Sequence, residues 1–262
     1  GQVGSVYFFN AARFGLAFFL LLPLLRNRPI ERPAFPWIGL AGSILFLATA
    51  FQQAGLKTTT AANAGFITSL YVVFVPLVLF LFWREKPSWL VLLSLVLALG
   101  GAYSLSTAGH FRVQRGDVLE LIGAFFWAFH VILLGKVASR YDSLVFSIGQ
   151  LLVSAVLNLL GGLLWETSWT VPQILPWLGA VTYTAVFSLA MGYTFQIWAQ
   201  RHTPPSDAAL ILSLESVFAA LAGWVFLGEA LNPAQSFGAL LIFCAVLLSQ
   251  SPAFRISLRS LS

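Results

Sequence analysis

Glu215 is the one carboxylate in the apolar run Leu210 to Leu221, and no Lys, Arg or His lies within seven residues of it. A lone carboxylate that met lipid would cost roughly 2.5 to 3.5 kcal/mol on insertion scales. Two alternatives follow from this cost. Glu215 faces a hydrated cavity, where it binds a solute or a proton, or it stays protonated and serves only helix packing.

Arg13 is a second charged residue within an apolar run. Its side chain can pair with Glu215, bind the carboxylate of a solute, or extend toward the membrane interface. We therefore treat Arg13 and Glu215 together as a candidate ion pair or proton site.

Uncharged polar residues form a stripe near the end of another apolar run. Tyr193, Gln196 and Gln200 are spaced by three and four residues, so they share one face of a helix. Polar side chains on a membrane helix face protein or water rather than lipid. The stripe predicts hydrogen bonds to a polar solute or between helices, and we favour solute binding for Gln196.

Trp127 and His130 share a helix face and offer an aromatic surface beside a titratable ring. A membrane histidine that serves only packing is an equally good interpretation. Asn63 follows Thr58, Thr59 and Thr60, residues that favour a helix start because they cap free N–H groups. Such a positive helix end can also bind an anion, although capping is the simpler role.

The composition is that of a membrane protein. Of 262 residues, 59% are hydrophobic and only 9% are charged, with a mean hydropathy of +0.88. Soluble domains carry roughly 25% charged residues, so most of this chain is expected to be solvated by lipid. A single cysteine and three histidines in no metal-binding pattern predict neither a metal site nor a cofactor.

Nine apolar stretches are long enough to be membrane helices, and the sequence therefore predicts an all-α polytopic fold. They cover approximately residues 5–25, 37–56, 61–83, 89–106, 118–139, 143–165, 174–200, 206–227 and 233–251. Pro76 lies inside the third stretch and predicts a kink there, which could act as a gate hinge.

The basic residues are distributed unequally between the two sides of these spans. Ten Lys and Arg residues fall on one side, and three, Lys57, Arg112 and Arg115, fall on the other. The positive-inside rule places the first side, with the C-terminus, in the cytoplasm. The net charge of +5 is thus a topology signal, and we expect no nucleic acid as a partner.

The two halves of the sequence align without a gap at a shift of 144 residues. Identical residues then coincide, among them Phe51-Gln52 with Phe195-Gln196 and Glu85 with Glu229, while Tyr71 coincides with Glu215. Equivalent helices lie five positions apart in the order of the spans, an odd number, so they point in opposite directions. This is an inverted repeat, the architecture of many secondary transporters, with substrate bound at the repeat interface.

The repeat divides the chain into a first repeat over residues 1–106, a loop over 107–117, a second repeat over 118–251 and a cytoplasmic tail over 252–262. The span at 118–139 has no equivalent, and the chain opens on Gly1 with an apolar span almost at once. We therefore expect a first helix to be missing here, and ten helices, five plus five, in the complete molecule.

The segments FNAARFGLAFFLLLPLL, GLKTTTAANAGFITSLYVVFVPL, WREKPS, LGEALNP and AALILSLESVFAALAGWVFLGE resemble the drug/metabolite transporter superfamily, EamA-type. The resemblance covers essentially the whole chain, although Ser216 stands where that family often has Pro. It implies ten helices around a central cavity, and an arginine at the position of Arg13 that leans toward a structural role.

The sequence lacks the motifs of an intramembrane enzyme, since its three aspartates lie at span ends and neither HExxH nor GxSxG occurs. We predict a secondary transporter of a small organic metabolite in the inner membrane, with amino-acid export implied by the resemblance. The alternatives are efflux of drugs or cationic compounds and an intramembrane enzyme. The predicted solute ligands are Gln52, Asn63, Tyr71, Trp127, His130, Tyr193, Gln196 and Glu215.

Overall fold

The computed structural model describes residues 5–26, 28–29, 31–107, 112–166, 177–228 and 230–250, and every regular element in these ranges is helical. The helices are α1 Val6–Leu21, α2 Phe35–Gly55, α3 Ala61–Ser69, α4 Tyr71–Trp83, α5 Trp89–Thr107, α6 Asp117–Val137, α7 Ser143–Trp165, α8 Leu178–Tyr183, a π-helical segment Thr184–Gly192, α9 Tyr193–Ala199, α10 Pro205–Leu212, α11 Leu214–Leu227 and α12 Pro233–Ser249. Short 3₁₀ turns, Leu22–Leu25 and Arg32–Ala34, flank the first connection.

Eight helical stretches in the described residues are long and apolar enough to cross a membrane. The ninth predicted span corresponds to α12, an apolar helix of 17 residues. The all-α polytopic membrane fold predicted from composition is therefore confirmed. The tail over 252–262 and Glu229, the repeat equivalent of Glu85, lie outside the described residues.

The helix boundaries follow the sequence repeat closely. Shifting α2 by 144 residues superimposes it on the run from α8 through α9, and α5 falls on α12 in the same way. The pair α3 and α4 falls on α10 and α11 with ends that agree within about one residue. The two halves thus contain the same succession of helices.

Equivalent helices that touch run antiparallel, as an inverted repeat requires. Along the contact between α1 and α7, Tyr7 lies against Gly161, whereas Ala17 lies in the same cluster as Leu151. Between α5 and α12, a Cβ on Gly101 would lie 2.6 Å from the Gly238 carbonyl oxygen. Small residues of α5 spaced by four, Ser94, Ala98 and Ala102, are buried.

The span α3–α4 of the first half and its equivalent α10–α11 of the second half are broken at equivalent places. The helix α3 ends at Ser69 and α4 begins at Tyr71, whereas α10 ends at Leu212 and α11 begins at Leu214. Ser69 Oγ donates to the Phe66 carbonyl at 2.5 Å, and Ser213 Oγ donates to the Leu210 carbonyl at 2.6 Å.

Pro76 was expected to bend this span, but it lies buried inside the continuous helix α4. The interruption comes one turn and a half earlier, at Leu70. The break in this span thus lies at the Leu70 turn, and the role of Pro76 as a gate hinge stays a prediction. At that turn, the Leu70 N–H bonds to the Ile67 carbonyl, an i−3 bond that tightens the end of α3.

One end of the helix bundle, which we name the basic face, carries Arg28, Lys136 and Arg201. Arg28 Nη1 lies 2.7 Å from Asp142 Oδ2, and Lys136 Nζ lies 3.5 Å from Glu85 Oε1. Arg201 Nη2 donates to the Tyr141 carbonyl at 2.7 Å. These contacts join loops between different helices at the end with most basic residues.

Candidate functional site: a central cavity

A cavity of about 670 Å³ lies among helices of both halves, and its wall includes the break in each half. Drug-sized sites occupy roughly 300 to 1,000 Å³, so this volume suits a small organic solute. Seven of the residues singled out in the sequence line it: Arg13, Gln52, Tyr71, Trp127, Tyr193, Gln196 and Glu215. Residues from six helices, singled out in the sequence, thus line one cavity.

Arg13 and Glu215 line the same cavity without forming an ion pair with each other in the described structure. Arg13 is only 9% exposed, and its guanidinium carbon lies 5.5 Å and 5.4 Å from the ring centres of Phe9 and Phe14. The Nε of Arg13 has no hydrogen-bond partner among the described residues. Both charges thus remain available to a bound molecule.

Two aromatic rings form a flat part of the wall. Trp127 of α6 and Tyr193 of α9 are stacked, with ring centres 6.4 Å apart and an interplanar angle of 10°. The indole Nε1 of Trp127 is buried and has no acceptor within the described structure. The wall therefore offers an apolar surface and one unused hydrogen-bond donor.

Tyr71 and Glu215 are repeat equivalents, and the helix breaks bring both to the start of a helix. Tyr71 is the first residue of α4, and Glu215 is the second residue of α11. The first N–H groups of a helix have no partner within it and carry partial positive charge, so a carboxylate is stabilised there. This explains physically how Glu215 is tolerated within an apolar run.

The two glutamines use their amide nitrogens within the protein. Gln52 Nε2 donates to Thr68 Oγ1 at 3.3 Å, and Gln196 Nε2 donates to Gln200 Oε1 at 3.2 Å. Gln200 in turn donates to the Val131 carbonyl at 2.9 Å. Gln52 and Gln196 line the cavity with orientations held by these bonds.

Hydroxyl groups around the cavity were largely missed in the sequence. They belong to Thr49, Thr68, Ser69, Ser188, Ser213 and Ser216. Isolated Ser and Thr in apolar helices give little signal in a sequence. Their equivalence to cavity residues under the repeat shift could have identified Ser69 and Ser213.

His130 and Asn63 lie outside the cavity lining. His130 is fully buried, and its Nε2 lies 3.0 Å from Gln150 Oε1 on α7, on the far side of the Tyr193 ring. Asn63 donates to the Arg112 carbonyl at 2.8 Å and to the Asp117 carboxylate. The structure thus places His130 and Asn63 in contacts outside the cavity lining. Their roles as solute ligands stay a prediction.

The N-terminal end of α3 is capped as predicted by a threonine, since Thr60 Oγ1 accepts from Asn63 N at 3.1 Å. At the start of α1, a carboxylate that the sequence did not single out has a similar role. Glu166 accepts from the N–H groups of Val6, Tyr7 and Phe8, at 2.8, 3.2 and 3.4 Å. This contact holds the helix that carries Arg13.

Within the described ranges, no group of three or more His, Cys, Asp or Glu side chains is arranged to hold a metal ion. The chemistry available in the cavity is therefore that of hydrogen bonds, two charges and aromatic surfaces. Such a constellation binds a molecule.

Comparison with known proteins agrees with this arrangement. The chain is 34% identical over 244 residues to an uncharacterized transporter of Archaeoglobus fulgidus, covering 93% of this chain and 76% of the relative. It is 28% identical over 125 residues to the threonine/homoserine exporter RhtA of Escherichia coli K12, covering 46% of this chain and 40% of that exporter. A crystal structure of a protein that is 18% identical has the same fold, with a TM-score of 0.79 over 97% of this chain and 91% of that one.

An uncharacterized transporter of Methanothermobacter thermautotrophicus is 28% identical over 207 residues, and the match spans 74% of this chain but only 58% of that relative. The sequence model of the EamA-like transporter family matches residues 2–107 and 114–250. These matches establish that the chain belongs to the EamA-like transporter family.

Proposed function

We propose that this protein is a secondary transporter that exports a small zwitterionic solute, an amino acid, by alternating access to the central cavity. The single observation that carries the proposal is the pairing of unused groups in one chamber. Among the residues that the structure describes, Arg13 Nε and Trp127 Nε1 are buried donors without an acceptor, and Glu215 lines the cavity without an ion-pair partner.

A zwitterion supplies the missing partner to each of these groups. Buried donors left without acceptors cost roughly 1 to 3 kcal/mol each, so a solute carboxylate beside Arg13 and Trp127 would recover that energy. An ammonium group near Glu215 would in turn be stabilised by the carboxylate. The stacked rings of Trp127 and Tyr193 leave an apolar surface for the side chain of the solute.

Further observations support transport of an amino acid. One relative is a threonine/homoserine exporter. The excess of Lys and Arg on the basic face favours a cytoplasmic location for that face and for the C-terminus. The antiparallel contacts between equivalent helices are those expected when two halves rock against each other around a fixed site.

The test is counterflow of radiolabelled L-threonine into proteoliposomes that contain the purified 262-residue chain. L-Homoserine should compete with threonine, whereas threoninol, which lacks the carboxylate, and 3-hydroxybutyrate, which lacks the ammonium, should not. The proposal would be overturned if neither threonine, homoserine nor any other common amino acid supported counterflow. It would also be overturned if threoninol and 3-hydroxybutyrate competed as strongly as homoserine.

Variants assign the two charges in the same assay. Arg13→Gln and Glu215→Gln should each weaken threonine binding by roughly 10- to 100-fold, the effect of losing one charge-assisted hydrogen bond. Glu31→Gln alters an exposed carboxylate on a loop and serves as the matched control. Counterflow that is unchanged in both cavity variants would contradict the assigned roles.

Efflux of organic cations is the second candidate, because a cation is attracted to the face of an aromatic ring as well as to a carboxylate. It is favoured by the stacked Trp127 and Tyr193 beside Glu215. This function would be distinguished if tetraphenylphosphonium competed with the labelled solute in wild type and in Arg13→Gln but not in Glu215→Gln.

A further inference from the structure

Glu120, on the first turn of α6, is a buried carboxyl group outside the cavity lining. Its exposed fraction is 0%. The ion pairs Arg28–Asp142 and Lys136–Glu85 do not involve it. In the sequence it stands near a span end, where a carboxylate is normally solvated, and its burial emerges only from the packing of α6 against α2 and α3.

A chain of hydrogen bonds connects Glu120 to the cavity. Thr68 Oγ1 donates to Glu120 Oε2 at 3.2 Å, and Gln52 Nε2 donates to the same Thr68 oxygen at 3.3 Å. Both Thr68 and Gln52 line the cavity. One hydroxyl group therefore separates the carboxyl group from the solute chamber.

The second carboxyl oxygen, Glu120 Oε1, is buried without a hydrogen-bond partner in the described structure. It packs against the backbone of Gly55 at the end of α2, where an added Cβ would lie 2.8 Å from Oε1. Only glycine at this helix crossing leaves room for the carboxyl group. The space at Gly55 is thus matched to Glu120.

The neighbouring Asp117 shows the contrast with a structural carboxylate. Asp117 accepts hydrogen bonds from Thr59 Oγ1, from Asn63 Nδ2 and, at 2.7 Å, from the Gln114 N–H. Its negative charge is compensated by three donors. Within the described ranges Glu120 has a single neutral donor. A buried ionised carboxylate with so little compensation is costly, so the group is stable there with a proton bound.

Few titratable groups face Glu120 from the helices that pack against α6. The α2 end contributes Gly55 and, just beyond it, the exposed Lys57, and α3 contributes no titratable side chain. On α4 the titratable residue is Tyr71, which lines the cavity. Asp117 is on the same helix, and the exposed Arg112 and Arg115 precede it.

We propose that Glu120 is a proton-binding site that couples transport to a proton gradient. This proposal rests on the proposed transport function and adds to it a carboxyl group distinct from Glu215. The site lies toward the face that carries Lys57, Arg112 and Arg115, which the charge distribution predicts to be outside the cytoplasm.

The proposed step moves one proton and no other atom. A carboxylate at Glu120 accepts a proton from a hydronium ion at the outer face and becomes the neutral acid, leaving a water molecule behind. In the opposite access state, Oε2–H passes its proton to Thr68 Oγ1 while the Thr68 hydroxyl proton passes to a water molecule in the cavity. The carboxylate is then restored, and the net result is one proton carried inward for each solute exported.

The first test does not depend on the identity of the solute. Infrared difference spectra of the full chain in liposomes between acidic and neutral pH should contain, among the bands of protonated carboxyl groups, a component that belongs to Glu120. Glu120→Gln should remove that component, whereas the matched control Glu31→Gln should retain it. Identical carboxyl bands in Glu120→Gln and Glu31→Gln would overturn the proposal.

The second test measures coupling, with radiolabelled L-threonine as the probe. Accumulation driven by an imposed pH gradient should fall in Glu120→Gln to the level seen without a gradient, and Glu120→Asp should recover part of it. Gradient-driven accumulation equal to wild type in Glu120→Gln would overturn the proposal. Failure of threonine counterflow in the wild-type protein would refute the proposed function while leaving the infrared result to decide on Glu120.

Gly55→Ala provides a second route if Glu120→Gln does not fold. The added methyl group displaces the carboxyl group while leaving it titratable, so the infrared band should shift and gradient-driven accumulation should fall. Gly39→Ala, on the same helix with nothing within 4 Å of the added Cβ, is the matched control and should behave as wild type. Equal behaviour of Gly55→Ala and Gly39→Ala in both measurements would contradict the proposal.

Discussion

Ser69 and Ser213 occupy equivalent positions in the two repeats and make the same bond. Each hydroxyl donates to the carbonyl three residues earlier, Phe66 and Leu210 respectively, and in each case a new helix begins within two residues. Side-chain bonds of this kind compete with the helical backbone pattern. The two breaks that form part of the cavity wall thus share one kind of local hydrogen bond.

Removing either hydroxyl should therefore destabilise the protein. Ser69→Ala and Ser213→Ala should each lower the free energy of unfolding by about 1 kcal/mol, the value of one hydrogen bond. Thermal denaturation in detergent measures the effect, with Ser236→Ala, an exposed serine of α12, as the control. Equal melting temperatures for all three variants would show that these bonds do not support the turns.

The crossing of α5 and α12 depends on two glycines. An added Cβ would lie 2.6 Å from the Gly238 carbonyl oxygen if placed at Gly101, and 2.5 Å from the Leu105 nitrogen if placed at Gly238. Gly101→Ala and Gly238→Ala should each cost about 1 to 3 kcal/mol, because backbone must move to admit the methyl group. Thermal unfolding again provides the measurement.

Gly100→Ala is the matched control for this crossing, since nothing lies within 4 Å of an added Cβ at Gly100. Alanine is favoured over glycine inside a helix by up to about 1 kcal/mol, so this variant should be as stable as wild type or more stable. A loss of stability at Gly100 equal to that at Gly101 would contradict the close-crossing explanation.

The stability of the basic face should depend on pH through Asp142. Burial raises the pKa of the Asp142 carboxyl, but the N–H groups of Val145 and Leu144 and the Arg28 guanidinium outweigh it, so the pKa lies below its ordinary value of 3.8. A lowered folded-state pKa means that the stabilisation is present above about pH 4 and is lost as the pH falls through the folded pKa.

Asp142→Asn removes this titration while keeping an oxygen for the cap of α7. The melting temperature of wild type should exceed that of Asp142→Asn between about pH 5 and pH 7, because the carboxyl group is ionised there. The difference should shrink as the pH is lowered below about 4. A difference that is independent of pH would refute the assigned role of the carboxylate.

The sequence predicted the helices well because two periodic signals agree. Lipid requires about 20 apolar residues for each span, and the shift of 144 residues repeats each helix in the other half. Together they predicted that Tyr71 and Glu215 share a chamber, and both residues line the cavity. Their roles in binding stay a prediction.

Residues whose surroundings come from other helices were harder to predict. Pro76 carries the strongest local signal for a bend, yet the helix is interrupted at Leu70, where a serine hydroxyl and an i−3 backbone bond act together. Glu120 was missed because nothing in its neighbours along the chain indicates Gly55 or Thr68. His130 does pack against Trp127, but its Nε2 lies 3.0 Å from Gln150 Oε1 of a different helix, a contact that the sequence does not indicate.

The π-helical segment Thr184–Gly192 has no counterpart in α2, whose equivalent residues are regular α-helix. A wider turn on one side of the chamber means that inward-open and outward-open shapes are not mirror images in energy. An empty protein that alternates between the two shapes would then populate them unequally, before any solute binds.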